Sequence, residues 1–273
     1  MRYIFTALRA EAADLIRELN LKPSGTSLQC YENENTVLTV TGTGPLSAAA
    51  ACAAVLFSHH VTDRDIVINA GIAASVRHGR KNEVYVIHKI HGNSSGRDYY
   101  PDLIPASEFP EAQLITGAVP YRSSGNAVSA IADEVILYDM EGAAVFHAAS
   151  MFLPPHRIRL LKLVSDFGEE EQLRFDPAWA AAIKRSVLQE AELMECIPVQ
   201  PEKRIPDCTG IAQELRATAA MKHRLEQALW YAELAGIDWN SIVTQYRTEG
   251  LLPAETKEAG KRILEKLIHD IQD

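Results

Sequence analysis

Apolar and polar positions along the chain follow two periods, and the points where one gives way to the other mark its elements. Tyr3-Ile4-Phe5-Thr6-Ala7-Leu8 reads as a strand, after which Ala12, Leu15, Ile16 and Leu19 recur at helical spacing. Residues 28–41 carry a hairpin pattern, with Asn33-Glu34-Asn35 as the turn and Val37-Leu38-Thr39-Val40 as the returning strand. Ser47 to Val55 is a run of small residues suited to a helix packed closely on a sheet. Ile66-Val67-Ile68-Asn69-Ala70 is the clearest buried strand, with Gly71 expected to close it, and Glu83 to Ile90 makes another. The loop His91 to Gly96 and the stretch punctuated by Pro101, Pro105 and Pro110 read as flexible cover.

The second half repeats a strand-to-helix junction. Val135-Ile136-Leu137 is an apolar run that turns, through Tyr138-Asp139-Met140-Glu141-Gly142, into a helix stopped by Pro154-Pro155. Arg159-Leu160-Leu161-Lys162-Leu163-Val164 is a further strand, ending in Ser165-Asp166. Asp176 and Pro177 are the N-cap and first residue of a helix running through Ala191 towards Met194. Such alternation of strands and helices predicts an α/β fold: a three-layer domain with a mixed central sheet over residues 1–200. Pro198, Pro201 and Pro206 then mark a linker to a helical C-terminal extension, residues 201–273. In that extension Gly210 to Ala235 and Pro253 to Ile271 have helical patterns, and Asp238-Trp239-Asn240 starts a shorter helix between them. Ile263, Leu264, Leu267, Ile268 and Ile271 form an apolar stripe, which ordinarily docks on its own domain.

Composition narrows the class. At 273 residues and 47% hydrophobic the chain can fill the core of one α/β domain with an appendage. A net charge of −9 with no concentrated basic face argues against a nucleic-acid partner. No apolar run is long enough to span a bilayer and the amino terminus lacks the order of a signal peptide, so the expectation is a cytoplasmic protein with no membrane partner. Cys30, Cys52, Cys196 and Cys208 lack metal-ligand spacing and read as reduced thiols.

The candidate chemistry sits at strand ends, where an open α/β sheet binds its ligands. Glu141 and Asp166 come to a common edge, Glu11 falls at the start of the first helix, and Gly42-Thr43-Gly44 offers amides at close approach after the returning hairpin strand. That G-x-G lacks the third glycine of a dinucleotide fingerprint, so neither a nicotinamide nor a flavin is expected. From spacing alone Glu11 could serve the helix dipole, Asp166 could cap the following turn and Met140 could be core.

Taken in order, Ala7-Leu8-Arg9-Ala10-Glu11, Thr41-Gly42-Thr43-Gly44, Ile68-Asn69-Ala70-Gly71-Ile72-Ala73, Met140-Glu141 and Ser165-Asp166 resemble the matching segments of the nucleoside phosphorylase and nucleosidase superfamily. Within it they are most like the methylthioadenosine/adenosylhomocysteine nucleosidases. The resemblance spans residues 1 to about 195. It implies cleavage of the N-glycosidic bond of a purine nucleoside or thionucleoside, with no cofactor or metal, in a homo-oligomer that is a dimer. In these roles Asp166 is the general acid or hydrogen-bond partner at purine N7, oriented by Ser165. Glu11 orients the attacking water, and Met140 and Glu141 hold the ribose. Thr41, Gly42 and Gly71 line the loops of the nucleoside pocket.

Two departures bear on that reading. The segment between His91 and Val135 is shorter than the resemblance calls for, and Tyr121, beside Pro120, is the nearest candidate to stack on the base. Bond cleavage builds positive charge on the sugar and negative charge on the leaving base, so it needs an acid at the base and a restrained nucleophile. A phosphorylase would also need cationic anion contacts; Arg9 is the one candidate near the right loop, and hydrolysis by a nucleosidase is therefore favoured over phosphate as nucleophile. A catalytically silent nucleoside-binding module, its helical tail engaging a partner, is the alternative from another class.

Overall fold

The computed structural model describes every residue except 26–27, 124–133, 170–173, 199–205 and 273. Pro201 of the expected linker lies outside the described residues. The chain forms two compact units, Met1–Val199 and Gln200–Asp273.

In the first unit the order is β1 (Arg2–Thr6), α1 (Arg9–Glu18), β2 (Lys22–Pro23), β3 (Gln29–Glu32), β4 (Thr36–Val40), α2 (Pro45–Ser58), β5 (Ile66–Arg77), β6 (Val84–Gly92), β7 (Arg97–Tyr99), β8 (Glu111–Thr116), β9 (Ile136–Asp139), α3 (Gly142–Ala149), β10 (Ile158–Asp166) and α4 (Pro177–Glu195). The sheet is mixed. β1 lies parallel between β4 and β5, and β10 runs parallel to β5 but antiparallel to β6. Because β6 pairs with β8, β8 with β9, and β9 returns antiparallel to β5, the strands β5, β10, β6, β8 and β9 close into a ring. β5 is the shared wall of this ring and of the open part of the sheet.

Alternation along β1 assigns the two faces. Tyr3 and Phe5 join a core with Cys52, Leu56, Val145 and Phe146 of α2 and α3. Ile4 joins the opposite core with Leu15 of α1 and Trp179, Ile183 and Val187 of α4. Helices therefore cover both faces, giving three layers. Local signals place several boundaries: Asn33 Oδ1 accepts from the amides of Asn35 and Thr36, both at 2.9 Å, to set the β3–β4 turn. Asp176 Oδ1 accepts from Ala178 N at 2.9 Å to cap α4.

Several expectations need correction. The first strand stops at Thr6 rather than Leu8, because Leu8 is the N-cap of α1. Gly71 does not close a strand. It sits in the middle of twelve-residue β5, where a side-chain methyl would lie 2.7 Å from Glu11 Oε1, so the strand needs glycine for close approach and not for a turn. The segment expected to be flexible cover, His91 through Pro110, contains β7, which pairs with the end of β6, and just beyond it lies β8, a strand of the ring that the sequence pattern does not assign. β8 offers only Ala112, Leu114 and Thr116 to the core, too little apolar content to show as a strand after Pro110.

The second unit holds α5 (Thr209–Glu214), α6 (Ala219–Ala235), α7 (Trp239–Thr248) and α8 (Lys257–Gln272). The pattern expected as one helix from Gly210 is broken at Arg216, which has φ +50°, and restarts at Thr218, whose Oγ1 accepts from Met221 N at 3.3 Å. Leu264, Leu267 and Ile271 of α8 are buried against Leu225 and Leu229 of α6 within this unit. Cys30, Cys52 and Cys208 are buried free thiols and Cys196 is exposed. Among the described residues no helix is long and apolar enough to cross a membrane.

Candidate active site

The ends of β1, β9 and β10 and the middle of β5 surround a cavity of about 260 Å³. Glu11, Met140, Glu141, Ser165, Asp166 and Tyr121 all line it, together with Thr43, Tyr138, Asp139 and Arg122.

Glu11 enters from the third residue of α1 and bends back over the helix start. Its Oε2 accepts from the amides of Ala7 at 2.9 Å and Leu8 at 2.8 Å, and its Oε1 accepts from Ile72 N of β5 at 2.9 Å. Glu11 thus both meets the amides at the helix start and lines the cavity. At 1% exposure, burial pushes the Glu11 carboxyl above the usual range, while the three amides and Lys162 pull the other way.

Glu141 is the N-cap residue of α3. Its Oε1 accepts from Gly44 N at 2.7 Å. That amide is aimed by the Gly42-Thr43-Gly44 loop, in which Gly42 (φ +79°) and Gly44 (φ +95°) adopt the left-handed conformations that other residues disfavour. Burial first, and then the neighbouring Asp139, push the Glu141 carboxyl up to about 7; Lys162 and the Gly44 amide oppose this.

Asp166 is half-buried at the end of β10. Oδ2 accepts from Ser165 Oγ at 2.7 Å and Oδ1 from Gly168 N at 2.7 Å, so both oxygens are held in place. Gly168, at φ +74°, lies against the ring of Tyr121, and its carbonyl accepts from Ser123 N at 3.2 Å. The Tyr121 and Tyr138 rings are 5.4 Å apart and tilted by 38°, forming an aromatic wall beside Asp166.

Four of the expected residues are placed differently. Thr41 and Gly42 support the loop without lining the cavity: Thr41 Oγ1 lies 2.8 Å from the Gly42 carbonyl, and Thr43 is the residue that faces inward. Gly71 backs Glu11 from within β5. Arg9 is not at the cavity; its guanidinium lies 4.9 Å from the centre of the Tyr31 ring.

Sequence reasoning misses Lys162, Asn69, Thr116 and the role of Asp139, which form a buried network under the cavity, and also Arg122. Lys162 does leave a signal: a lysine flanked by leucines in a strand buried on both faces requires a buried anion. Among the described residues no group of three or more His, Cys, Asp and Glu side chains is arranged to hold a metal ion.

No protein-family model and no curated protein matches the sequence. Solved structures do match the fold. A methylthioadenosine nucleosidase of Arabidopsis thaliana matches with a TM-score of 0.57 at 19% identity, over 72% of this chain and 97% of its own. A methylthioadenosine/adenosylhomocysteine nucleosidase of S. pneumoniae, solved with a transition-state inhibitor, matches with a TM-score of 0.54 at 20% identity, over 72% of this chain and 100% of its own. The corresponding enzyme of Chlamydia trachomatis gives 0.55 at 21% identity, over 70% and 97%. The chain has the fold of these nucleosidases.

Proposed function

We propose that this chain cleaves the N-glycosidic bond of a purine nucleoside or thionucleoside, with water as the nucleophile. The observation that carries the reading is the convergence of Glu11, Glu141 and Asp166 on one cavity from α1, α3 and β10. Such a constellation matches the charge changes of the reaction from end to end. Asp166, oriented by Ser165, faces the leaving base beside Tyr121 and supplies the hydrogen bond or proton that the base needs as it departs. Glu141 accepts hydrogen bonds from the ribose hydroxyls, and Met140 gives the sugar a polarisable apolar contact. Glu11, fixed by three amides, orients a water at the anomeric carbon and answers the positive charge that grows there.

Arg122 supports a second reading, phosphorolysis, because it brings an always-charged donor fork to the cavity lining. Acidic groups at Glu11 and Glu141 in the same cavity weigh against it, since in their ionised form they would repel a phosphate dianion there. A dimer belongs to the same proposal: Leu46 and Phe57 of α2 and Met151 after α3 leave apolar side chains exposed. The test is incubation of the purified protein with methylthioadenosine, adenosylhomocysteine, adenosine and inosine, following free base by chromatography. Release from at least one is the expected result; none from any would move the assignment to a binding module.

A further inference from the structure

From Asp139 in the cavity lining a network of hydrogen bonds runs down beneath the floor, and the proposed reaction does not itself use it. Lys162, in the middle of β10 and 2% exposed, donates from Nζ to Asp139 Oδ2 and to Asn69 Oδ1, each at 2.8 Å. Asn69 is fixed in turn by donating to the Phe5 carbonyl at 3.0 Å. Asp139 Oδ2 also accepts from Gly142 N at 2.8 Å, and its Oδ1 accepts from the Thr116 hydroxyl at 2.6 Å. Thr116 Oγ1 accepts in turn from Ala143 N at 2.9 Å. The first two amides of α3 are therefore satisfied from beneath by Asp139 and Thr116, and Glu141 is the residue immediately before them. Strands β5, β8, β9 and β10 all contribute, so the network exists only because the ring closes.

Burying a lysine and an aspartate is costly before the two are paired, and apolar residues of similar volume often pack as well. We propose that Lys162, Asp139 and Thr116 are positioning residues for Glu141, fixing the start of α3 and holding the ribose-facing carboxylate between one buried cation and one buried anion. This rests on the reading of Glu141 as the ribose carboxylate. The charges that face Glu141 come from every side: Asp139 from β9, Lys162 from β10, Glu11 from α1 and the Gly44 amide from the loop before α2, with Asp166, Arg122 and the Tyr138 phenol around the same cavity. Asp139 and Glu11 push its titration up, and Lys162 and the amide pull it down. A Glu141 carboxylate out of reach of these two charges would keep its titration when either is removed, and T116V, which keeps both charges, reads the positioning separately.

The test is the side-chain carboxyl titration of Glu141, followed by NMR in protein carrying 13C-glutamate and assigned by the signal lost in E141Q. D139N keeps the shape and removes the anion, so the midpoint moves down by about one pH unit or more, the size a neighbouring charge ordinarily produces. K162M removes the cation, so the midpoint moves up. The double variant returns towards wild type, although all three variants break the same ion pair. Should K162M fail to fold, D139N alone decides. A Glu141 midpoint unmoved in D139N, or shifts of the same sign in both single variants, overturns the proposal. T116V, which keeps both charges, is expected to raise KM for the nucleoside several-fold while kcat changes less. Opposite shifts by NMR in a protein that releases no base would sink the proposed reaction and leave the positioning network standing.

Discussion

Glu141 carries a carboxyl that an ordinary glutamate would hold at 4.5 and that burial and Asp139 push up to about 7. Between those values the folded protein keeps a proton that the unfolded chain has released. Its contribution to stability is therefore complete below pH 4.5 and is lost as the pH rises through 7. E141Q removes that loss, so its melting temperature should match wild type near pH 4 and exceed it at pH 8. The difference in stability at pH 8 is about 2–4 kcal/mol, since each tenfold change in proton affinity is worth ~1.4 kcal/mol. Thermal unfolding of both proteins across that range checks it, and a gain independent of pH would contradict the cause. Asp166 makes the opposite kind of prediction: D166N keeps both hydrogen-bond geometries within reach but cannot donate a proton, so base release should fall ~10²- to 10⁴-fold with little change in melting temperature. Steady-state kinetics beside calorimetry measures both. The positions of Glu11, Glu141 and Asp166 beside strand ends and a helix start are legible in the local pattern, while their proposed roles come from the ordered resemblance, since spacing alone leaves a dipole or cap reading open. Lys162, Asn69 and Thr116 are not legible, because their roles depend on which strands become neighbours: Lys162 meets Asp139 and Asn69 across β9, β10 and β5.

Strand β5 is the element on which the site depends, and its glycine shows how. A strand interior ordinarily disfavours glycine, yet Gly71 is the point where α1 delivers Glu11 against the sheet. G71A would place a methyl 2.7 Å from Glu11 Oε1, displacing the carboxylate from the Ile72 amide. Turnover in G71A should drop by at least ~10-fold, since small misplacements of a catalytic group are costly, while nucleoside binding changes less. Near-normal turnover would show that Glu11 need not hold its present place. The same strand explains why local pattern misleads around it. Periodicity makes an internal glycine look like a strand end and β7 look like cover, and it leaves β8 unassigned, because closing a ring lets short, weakly apolar strands be held by pairing with ring neighbours instead of by their own burial.

Over the full chain, alternation of strands and helices is enough to anticipate a three-layer arrangement around a mixed sheet, but not the ring, which is a property of pairing order that periodicity does not encode. We propose that residues 1–198 are a self-sufficient catalytic body: a chain ending at Pro198 should fold by circular dichroism and keep its turnover within a few-fold, the core of the second unit being made of its own helices. Loss of folding in that shorter chain would refute this. Whether the cavity breaks a purine N-glycosidic bond with water is decided by the fate of the sugar. Methylthioadenosine, or whichever nucleoside releases base, is turned over with and without inorganic phosphate while base is followed by chromatography and phosphorus by 31P NMR. Hydrolysis gives free base and free sugar in equal amounts, no sugar phosphate, and a rate that phosphate leaves unchanged. A sugar 1-phosphate signal with a rate rising with phosphate would contradict it.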